Sequence, residues 1–332
     1  MGINVGNKII HIGLALIFLI SFTSIANAGK ETMITGWRLT LSPSIYGNIV
    51  TWSDTFGNGV FMYNLTTGNI TLIGHADNSP SIQGDKITWL DNINITVYNI
   101  STGKKIEIVN ASTPAIYGDN LVYVRSKSVD GQPAYSQNDM YNSLCLYNLS
   151  THKEVQITPY EYATYSVSIY GNKIVWGRAN QVNSGEWSSN VSIYDIPTKR
   201  VSDISRTGRA HGGKIYGNIV VWTEDQNGSR VYMRDIAKHK TRQITFDGNS
   251  ISPDVYGDKI VWRRDYWSRD NWSRDNLSSG IYMYNISTNE TKRITYCIDN
   301  PAIYDDKIVY VGPGNDTEDQ ADDCIYLYNL SA

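Results

Sequence analysis

The chain has 332 residues, a formal net charge of -3 and only 18% charged residues. That length fits one large domain or two, and the charge supplies neither the basic surplus that nucleic acid binding needs nor a long acidic tail. Tyr (24) and Trp (9) are abundant, and both favour strands.

The N-terminus carries an address. Lys8 precedes an apolar run over residues 9–22, interrupted only by His11, Gly13 and Ser21, and Ala26-Asn27-Ala28 follows as a small-x-small cleavage signal. The run of 14 residues is short of the roughly 20 that a spanning helix needs. Residues 1–28 therefore read as a cleaved signal peptide, with an uncleaved N-terminal anchor as the alternative. The mature chain, 29–332, shows no second hydrophobic segment, so no transmembrane segment is expected in it, and its expected location is secreted or cell surface. Its three cysteines, Cys145, Cys297 and Cys324, permit a disulfide outside the cell but leave one thiol over.

From residue 42 onward one pattern recurs. A turn such as Tyr256-Gly257-Asp258 leads into an apolar run ending on an aromatic, here Trp262. Its counterparts centre on Gly47, Gly84, Gly118, Gly171, Gly217 and Asp305, and their runs end on Trp52, Trp89, Tyr123, Trp176, Trp222 and Tyr310. The repeats begin near 42, 79, 113, 166, 212, 252 and 300. Self-similar strand units of about 43 residues predict an all-β, seven-bladed β-propeller as a single domain.

Within each repeat the residues before Tyr-Gly form the inner strand, Gly-Asn or Gly-Asp turns the chain, and the Ile-Val-Trp run is the second strand. The third strand carries Phe61-Met62-Tyr63-Asn64 and its equivalents. A second turn follows, with Gly68, Gly103, His152, Lys199, His239 or Asn289 at a left-handed position. A polar outer edge such as 153–158 completes the unit. The last repeat stops at Tyr328-Asn329-Leu330 before any fourth strand. Residues 29–35 read like the missing piece, so the mature N-terminus is predicted to pair with the last blade and close the ring.

Tyr-Gly-Asp-Lys-Ile-Val-Trp, then Ile-Tyr-Met-Tyr-Asn, then a Thr-Lys-Arg-Ile-Thr outer strand resemble the TolB-like propeller repeat, in the version found in exported surface proteins of methanogenic archaea. The resemblance covers nearly all of the mature chain. It implies a binding, structural or occasionally enzymatic scaffold. Gln83 in place of Tyr, Asp305 in place of Gly, and Val167 and Gly213 in place of Pro depart from the pattern.

Chemistry is expected where the repeats are interrupted. Long loops at 125–143, 177–190, 263–280 and 312–323 all fall on the face that carries the second-to-third-strand loops, and loop variation on a rigid scaffold is where binding sits. In the sixth repeat Tyr266, Trp267, Arg269, Trp272 and Arg274 combine rings and hydrogen-bond donors suited to a sugar. A tandem duplication packed on the blade is the alternative. In the seventh, Asp316, Glu318, Asp319, Asp322 and Asp323 form an oxygen-rich cluster for calcium, or a solvated acidic loop. No other cofactor is implied. Cys297 and Cys324 fall on the same face of neighbouring strands and fit a disulfide, while Cys145 reads as a buried small apolar residue.

Of 14 Asn-x-Ser/Thr sequons, five (Asn64, Asn99, Asn148, Asn285, Asn329) sit at the second turn, where an Asx turn explains them. Asn94, Asn110, Asn190, Asn227, Asn271 and Asn315 are among the rest, which are candidate glycosylation sites. No linear catalytic motif occurs, and His75 and His211, on the connections between blades, read as ordinary surface residues. The expected function is an exported, non-catalytic surface propeller that binds a surface protein or glycan or builds an envelope layer. The alternative is an extracellular enzyme acting on polysaccharide or peptide at the channel mouth.

Overall fold

The computed structural model describes residues 29–35, 43–54, 59–76, 78, 80–126, 142–160, 163–183, 186–265, 279–296, 299–313 and 323–331. These form seven four-stranded antiparallel sheets and, among the described residues, no helix. Six blades are continuous in sequence, at 44–75, 81–108, 112–156, 163–203, 210–243 and 250–295. The seventh takes three strands from 302–329 and its fourth, Lys30–Met33, from the other end of the chain. Lys30 pairs with Asn329 and Met33 with Tyr326, and Ile34 N–H donates to the Ile325 carbonyl. The ring is closed as the sequence predicted.

Sequence chemistry accounts for both turns of each blade. The turn after the inner strand needs a left-handed residue. Glycine supplies it six times, with φ near +60° from Gly47 to Gly257, and Asp305 adopts +58° in the last blade. The second turn places Gly68, Gly103, His152, Lys199, His239 and Asn289 at positive φ. Its preceding Asn or Asp accepts backbone N–H groups: Asn148 Oδ1 takes the Thr151 N–H at 2.9 Å and Asp195 Oδ1 the Thr198 N–H at 3.0 Å. His152 and His239 are therefore turn residues.

The core lies between blades. Val50, Ile87, Leu121, Ile174, Val220, Ile260 and Ile308, one from each second strand, are fully buried. The aromatic that ends each run is buried as well, and in four blades it lies over its cross-strand partner: Trp52 on Phe61, Trp222 on Tyr232, Trp262 on Tyr282 and Tyr310 on Tyr326, with centroids 5.8–6.0 Å apart. Burying such rings supplies much of the driving force.

The inner strands touch one another around the channel. At the end carrying the short turns, Tyr117, Tyr170, Tyr216, Tyr256, Tyr304 and Tyr46 follow one another around the axis. Neighbouring centroids are 4.3–4.9 Å apart and planes 42–56° apart. A sevenfold ring turns about 51° per blade, so these planes stand nearly parallel to the channel axis, with centroids roughly 5 Å from it. Burial and the neighbouring phenols push Tyr170 up to about 12 and raise Tyr46 and Tyr256, which keeps these three phenols uncharged. Gln83 fills the seventh position and accepts the Gly118 N–H at 2.9 Å.

Two residues before the belt, side chains cap the next blade. Ser168 Oγ accepts the Ile215 N–H at 3.2 Å, and Asp254 Oδ2 accepts the Ile303 N–H at 3.0 Å. Burial raises the Asp254 carboxyl, against the opposing pull of Lys214 and of the Ile303 and Val255 N–H groups.

Candidate functional site

Residues 177–190 are not the open loop that the sequence suggested. Lys173–Asn183 and Glu186–Asp195 are paired strands, in register from Lys173↔Asp195 out to Gln181↔Trp187 and Asn183↔Glu186. The second and third strands of the fourth blade thus project beyond the sheet as a hairpin. The signal was present in the sequence: Asn-Ser-Gly at 183–185 has turn-forming composition, and Trp187, Ser189, Val191 and Ile193 occupy alternate positions behind it.

This hairpin is fastened to the connection that enters the fifth blade. Ser189 N–H donates to the Gly208 carbonyl at 2.9 Å, Gly208 N–H donates to Asn190 Oδ1 at 3.0 Å, and Ser189 bridges to Arg209. Between them lies a pocket of about 310 Å³, at the small end of the range for ligand sites. Tyr165, Trp187, Ser189, Arg209, His211 and Asp225 are on its walls.

Each wall has a separate cause. Tyr165 sits opposite Gly177 in the register, and its ring lies where a Cβ on residue 177 would be. Its phenol hydrogen-bonds Ser189, burial raises its pKa, and Ser189 Oγ donates to the Ala210 carbonyl. Trp187 is 51% exposed at the rim. His211 Nε2 is 2.9 Å from Asp225 Oδ2, and Ser229 donates to the other oxygen of that carboxylate at 2.6 Å. Arg209 is exposed, and among the described residues its guanidinium has no ion-pair partner.

These groups are of kinds that can recognise a ligand. An exposed indole offers a stacking face, a carboxylate accepts hydroxyl protons, and a guanidinium takes an anion. Ser189 gives its hydrogen to a carbonyl and His211 turns Nε2 to Asp225, so the two are not set as nucleophile and base. The sequence treated His211 as a lone surface residue; the fold supplies its carboxylate from the next strand.

The residues expected to bind sugar (Tyr266, Trp267, Arg269, Trp272, Arg274) lie outside the described residues. So do Asp316, Glu318, Asp319 and Asp322 of the calcium cluster, and Cys297. Asp323 begins the last strand and Cys324 follows it, buried with a free thiol. Cys145 is buried and free, and burial raises its thiol pKa. Among the described residues no group of three or more His, Cys, Asp or Glu side chains is placed to hold a metal ion.

Among the sequons, Asn94 uses its amide nitrogen on Glu107 at 2.6 Å, and Asn190 accepts from Gly208. Asn110 and Asn227 are exposed at positive φ. Asn271 and Asn315 lie outside the described residues. Among the described residues no helix is long and apolar enough to cross a membrane.

No protein-family profile matches the sequence, and no curated protein does. Solved structures do match. The β-propeller domain of the Trilobed protease from Pyrococcus furiosus superposes with a TM-score of 0.63 at 12% identity, over 89% of this chain and 98% of that one. Its topology is described as open velcro, whereas this ring is closed by Lys30–Met33. A prolyl endopeptidase matches with a TM-score of 0.63 at 13% identity, over 90% of this chain and 49% of that one. TolB from Acinetobacter baumannii matches with a TM-score of 0.50 at 10% identity, over 94% of this chain and 83% of that one. At these identities the likeness is one of fold: this is a β-propeller.

Proposed function

We propose that this propeller is an exported binding module whose ligand is a glycan held in the pocket between the fourth and fifth blades. The observation that carries the reading is Trp187. A large ring stands half in solvent on a hairpin that the fold goes to some length to fix, beside hydroxyl-accepting and cationic groups. A buried indole would be core, and an exposed one on a loose loop would be incidental. One held over a pocket by backbone hydrogen bonds is a platform for the apolar face of a sugar ring. Export rests on the Lys8, apolar-run and Ala26-Asn27-Ala28 sequence of the N-terminus. The peptidase neighbours do not extend to this chain, because a shared propeller says nothing of a shared reaction.

A glycan array probed with residues 29–332, as wild type and as Trp187→Ala, tests the reading. Binding to a set of glycans that falls at least tenfold in the variant, with an unchanged unfolding midpoint, is the expected result. A folded wild-type protein that retains no glycan, or an alanine variant that binds as well as wild type, overturns it. Export is tested by sequencing the N-terminus of material recovered outside expressing cells, with a start close to Gly29 expected.

A further inference from the structure

Resting on the glycan reading, we infer that the ligand is acidic: a sugar unit bearing a carboxylate, such as a uronic acid residue, with Arg209 as the group that selects it. Besides the Tyr165 phenol, the pocket contains three charged or ionisable side chains, and they are not equivalent. Asp225 is occupied on both oxygens, by His211 Nε2 at 2.9 Å and by Ser229 at 2.6 Å. His211 is occupied by Asp225. Arg209 has backbone bonds only: its carbonyl accepts the Asp225 N–H at 3.0 Å and its N–H reaches Thr207 Oγ1 at 3.4 Å. These bonds fix where the side chain starts while leaving its five donors to solvent.

Three other arginines are matched within the chain. Arg178 faces Asp203 at 3.4 Å, Arg263 holds Asp265 at 2.6 Å and Asp299 at 3.4 Å, and Arg264 holds Asp247 at 2.9 Å. Arg206, three residues earlier on the same connection, is exposed and likewise has no ion-pair partner among the described residues, so what distinguishes Arg209 is its place on the wall of the pocket.

A ligand that stacks on Trp187 covers this wall and displaces water from it. A neutral sugar leaves the guanidinium covered and unpaired, whereas a carboxylate returns a charge-assisted, two-point hydrogen bond. Discrimination therefore arises from both terms at once, as in other sites built around one charged group. The remaining roles fall into place. The Asp225 carboxylate still has lone pairs for a sugar hydroxyl, and Tyr165 and Ser189, bonded to each other and to the Ala210 carbonyl, form a floor that does not need the ligand. The pocket volume of about 310 Å³ suits one sugar unit, so longer chains would extend over the rim past Trp187.

Calorimetric titration of residues 29–332 with oligogalacturonate and with neutral oligogalactose of the same length gives the test. The uronate is expected to bind at least about tenfold more tightly, the size of one charge-assisted bond. Arg209→Gln is expected to remove that preference, by weakening uronate binding and by lifting the penalty on the neutral sugar, and Arg209→Lys to restore part of it. Added salt should weaken uronate binding and spare the neutral sugar. Equal affinities for the two sugars, or a preference that survives Arg209→Gln, overturns the inference and leaves the glycan reading standing. Binding of neither sugar, with array binding also absent, overturns both. Because Arg209 is exposed, its variants are expected to keep the wild-type unfolding midpoint, and a shifted midpoint is checked against Arg209→Lys before any affinity is compared.

Discussion

Gly177→Ala is the sharpest probe of how the pocket is built. Gly177 pairs with Tyr165 in the fourth blade, and its φ lies outside the left-handed region, so alanine meets no backbone strain. The obstacle is the ring. A Cβ at residue 177 would lie 2.4 Å from Tyr165 Cε2, 2.6 Å from Cζ and 2.8 Å from Cδ2. The ring cannot swing aside freely, because its hydroxyl is bonded to Ser189 and lies 3.3 Å from the Ala210 carbonyl. Overpacking of this kind costs about 1–3 kcal/mol, and losing the phenol's hydrogen bond adds roughly 1 kcal/mol. The lower chain entropy of unfolded alanine offsets about 0.4–1 kcal/mol. The net expectation is a destabilisation of about 2 kcal/mol, read as a lower urea midpoint at unchanged slope.

The decisive assay is the double-mutant cycle with Tyr165→Ala. Once the ring is gone the new methyl has space, so Gly177→Ala in that background should be neutral or stabilising, giving a coupling of about 2 kcal/mol. Additivity within about 0.5 kcal/mol would show that the ring and the glycine do not constrain each other, and would refute the account of the pocket floor. Sugar affinity should fall with the single substitution, because the displaced ring is a pocket wall.

Three other outcomes follow from the channel, the closure and the turns. Asp254→Asn keeps an acceptor for the Ile303 N–H and removes a charge that burial disfavours, so the variant should match or exceed wild type at neutral pH. The folded carboxyl pKa is raised above its unfolded value. The wild type should therefore lose ground to the variant as pH rises from the unfolded value through the raised folded one, by about 1.4 kcal/mol for each pH unit that separates the two; parallel pH-dependent urea curves would refute this. A chain lacking residues 29–35 bares the edge of Asp323–Asn329, and should lose roughly 3 kcal/mol or more and self-associate on sedimentation. Asp119, Asp195 and Asp306, lowered chiefly by hydrogen bonds from Ser150, Thr198 and Ser331, contribute stability above the ordinary carboxylate pKa that is lost as pH falls through their lowered values; a midpoint that holds flat below pH ~4 would contradict those bonds.

The fold was legible because its requirements are local and repeated. A left-handed turn needs Gly, Asn or Asp, and the substitution of Asp305 for glycine was readable as the same requirement met differently. Closure was legible from the register of what was missing, since residues 29–35 carry the turn-and-edge pattern that the last repeat lacks. The pocket was less legible for a physical reason. Trp187 belongs to an alternating strand, but alternation alone does not say whether a ring faces a neighbouring blade or solvent. That depends on how far the hairpin projects beyond its sheet. The pairing of His211 with Asp225 joins two strands through a register that slips between His211 and Lys214, and a slip of that kind is not spelled out by spacing. The tyrosine belt was hidden in plain view: each Tyr was used as a marker of the turn, and only the ring geometry shows six of them meeting.

The repeats divide the molecule into what every blade needs and what one blade has. The left-handed turns and the buried aromatics recur because each blade must turn and must pack, and a substitution there is a stability experiment. The departures sort differently. Gln83 interrupts the belt but answers with a hydrogen bond to Gly118, and Asp254 answers to Ile303 where other blades use serine, alanine or lysine, so both are absorbed by the ring itself. The fourth-blade hairpin is not absorbed. It extends past the sheet, leaves an indole in solvent and sits beside an arginine with no ion-pair partner among the described residues, while its bridge from Ser189 to Arg209 has a counterpart in the fifth blade between Ser229 and Asn249. Conformational order there is maintained at a cost in exposed apolar surface, and nothing in the packing of the ring requires it. An irregularity that the fold neither needs nor compensates calls for an explanation outside the fold, and on the proposed reading the ligand presents an apolar face to Trp187, hydroxyls to Asp225 and an anion to Arg209.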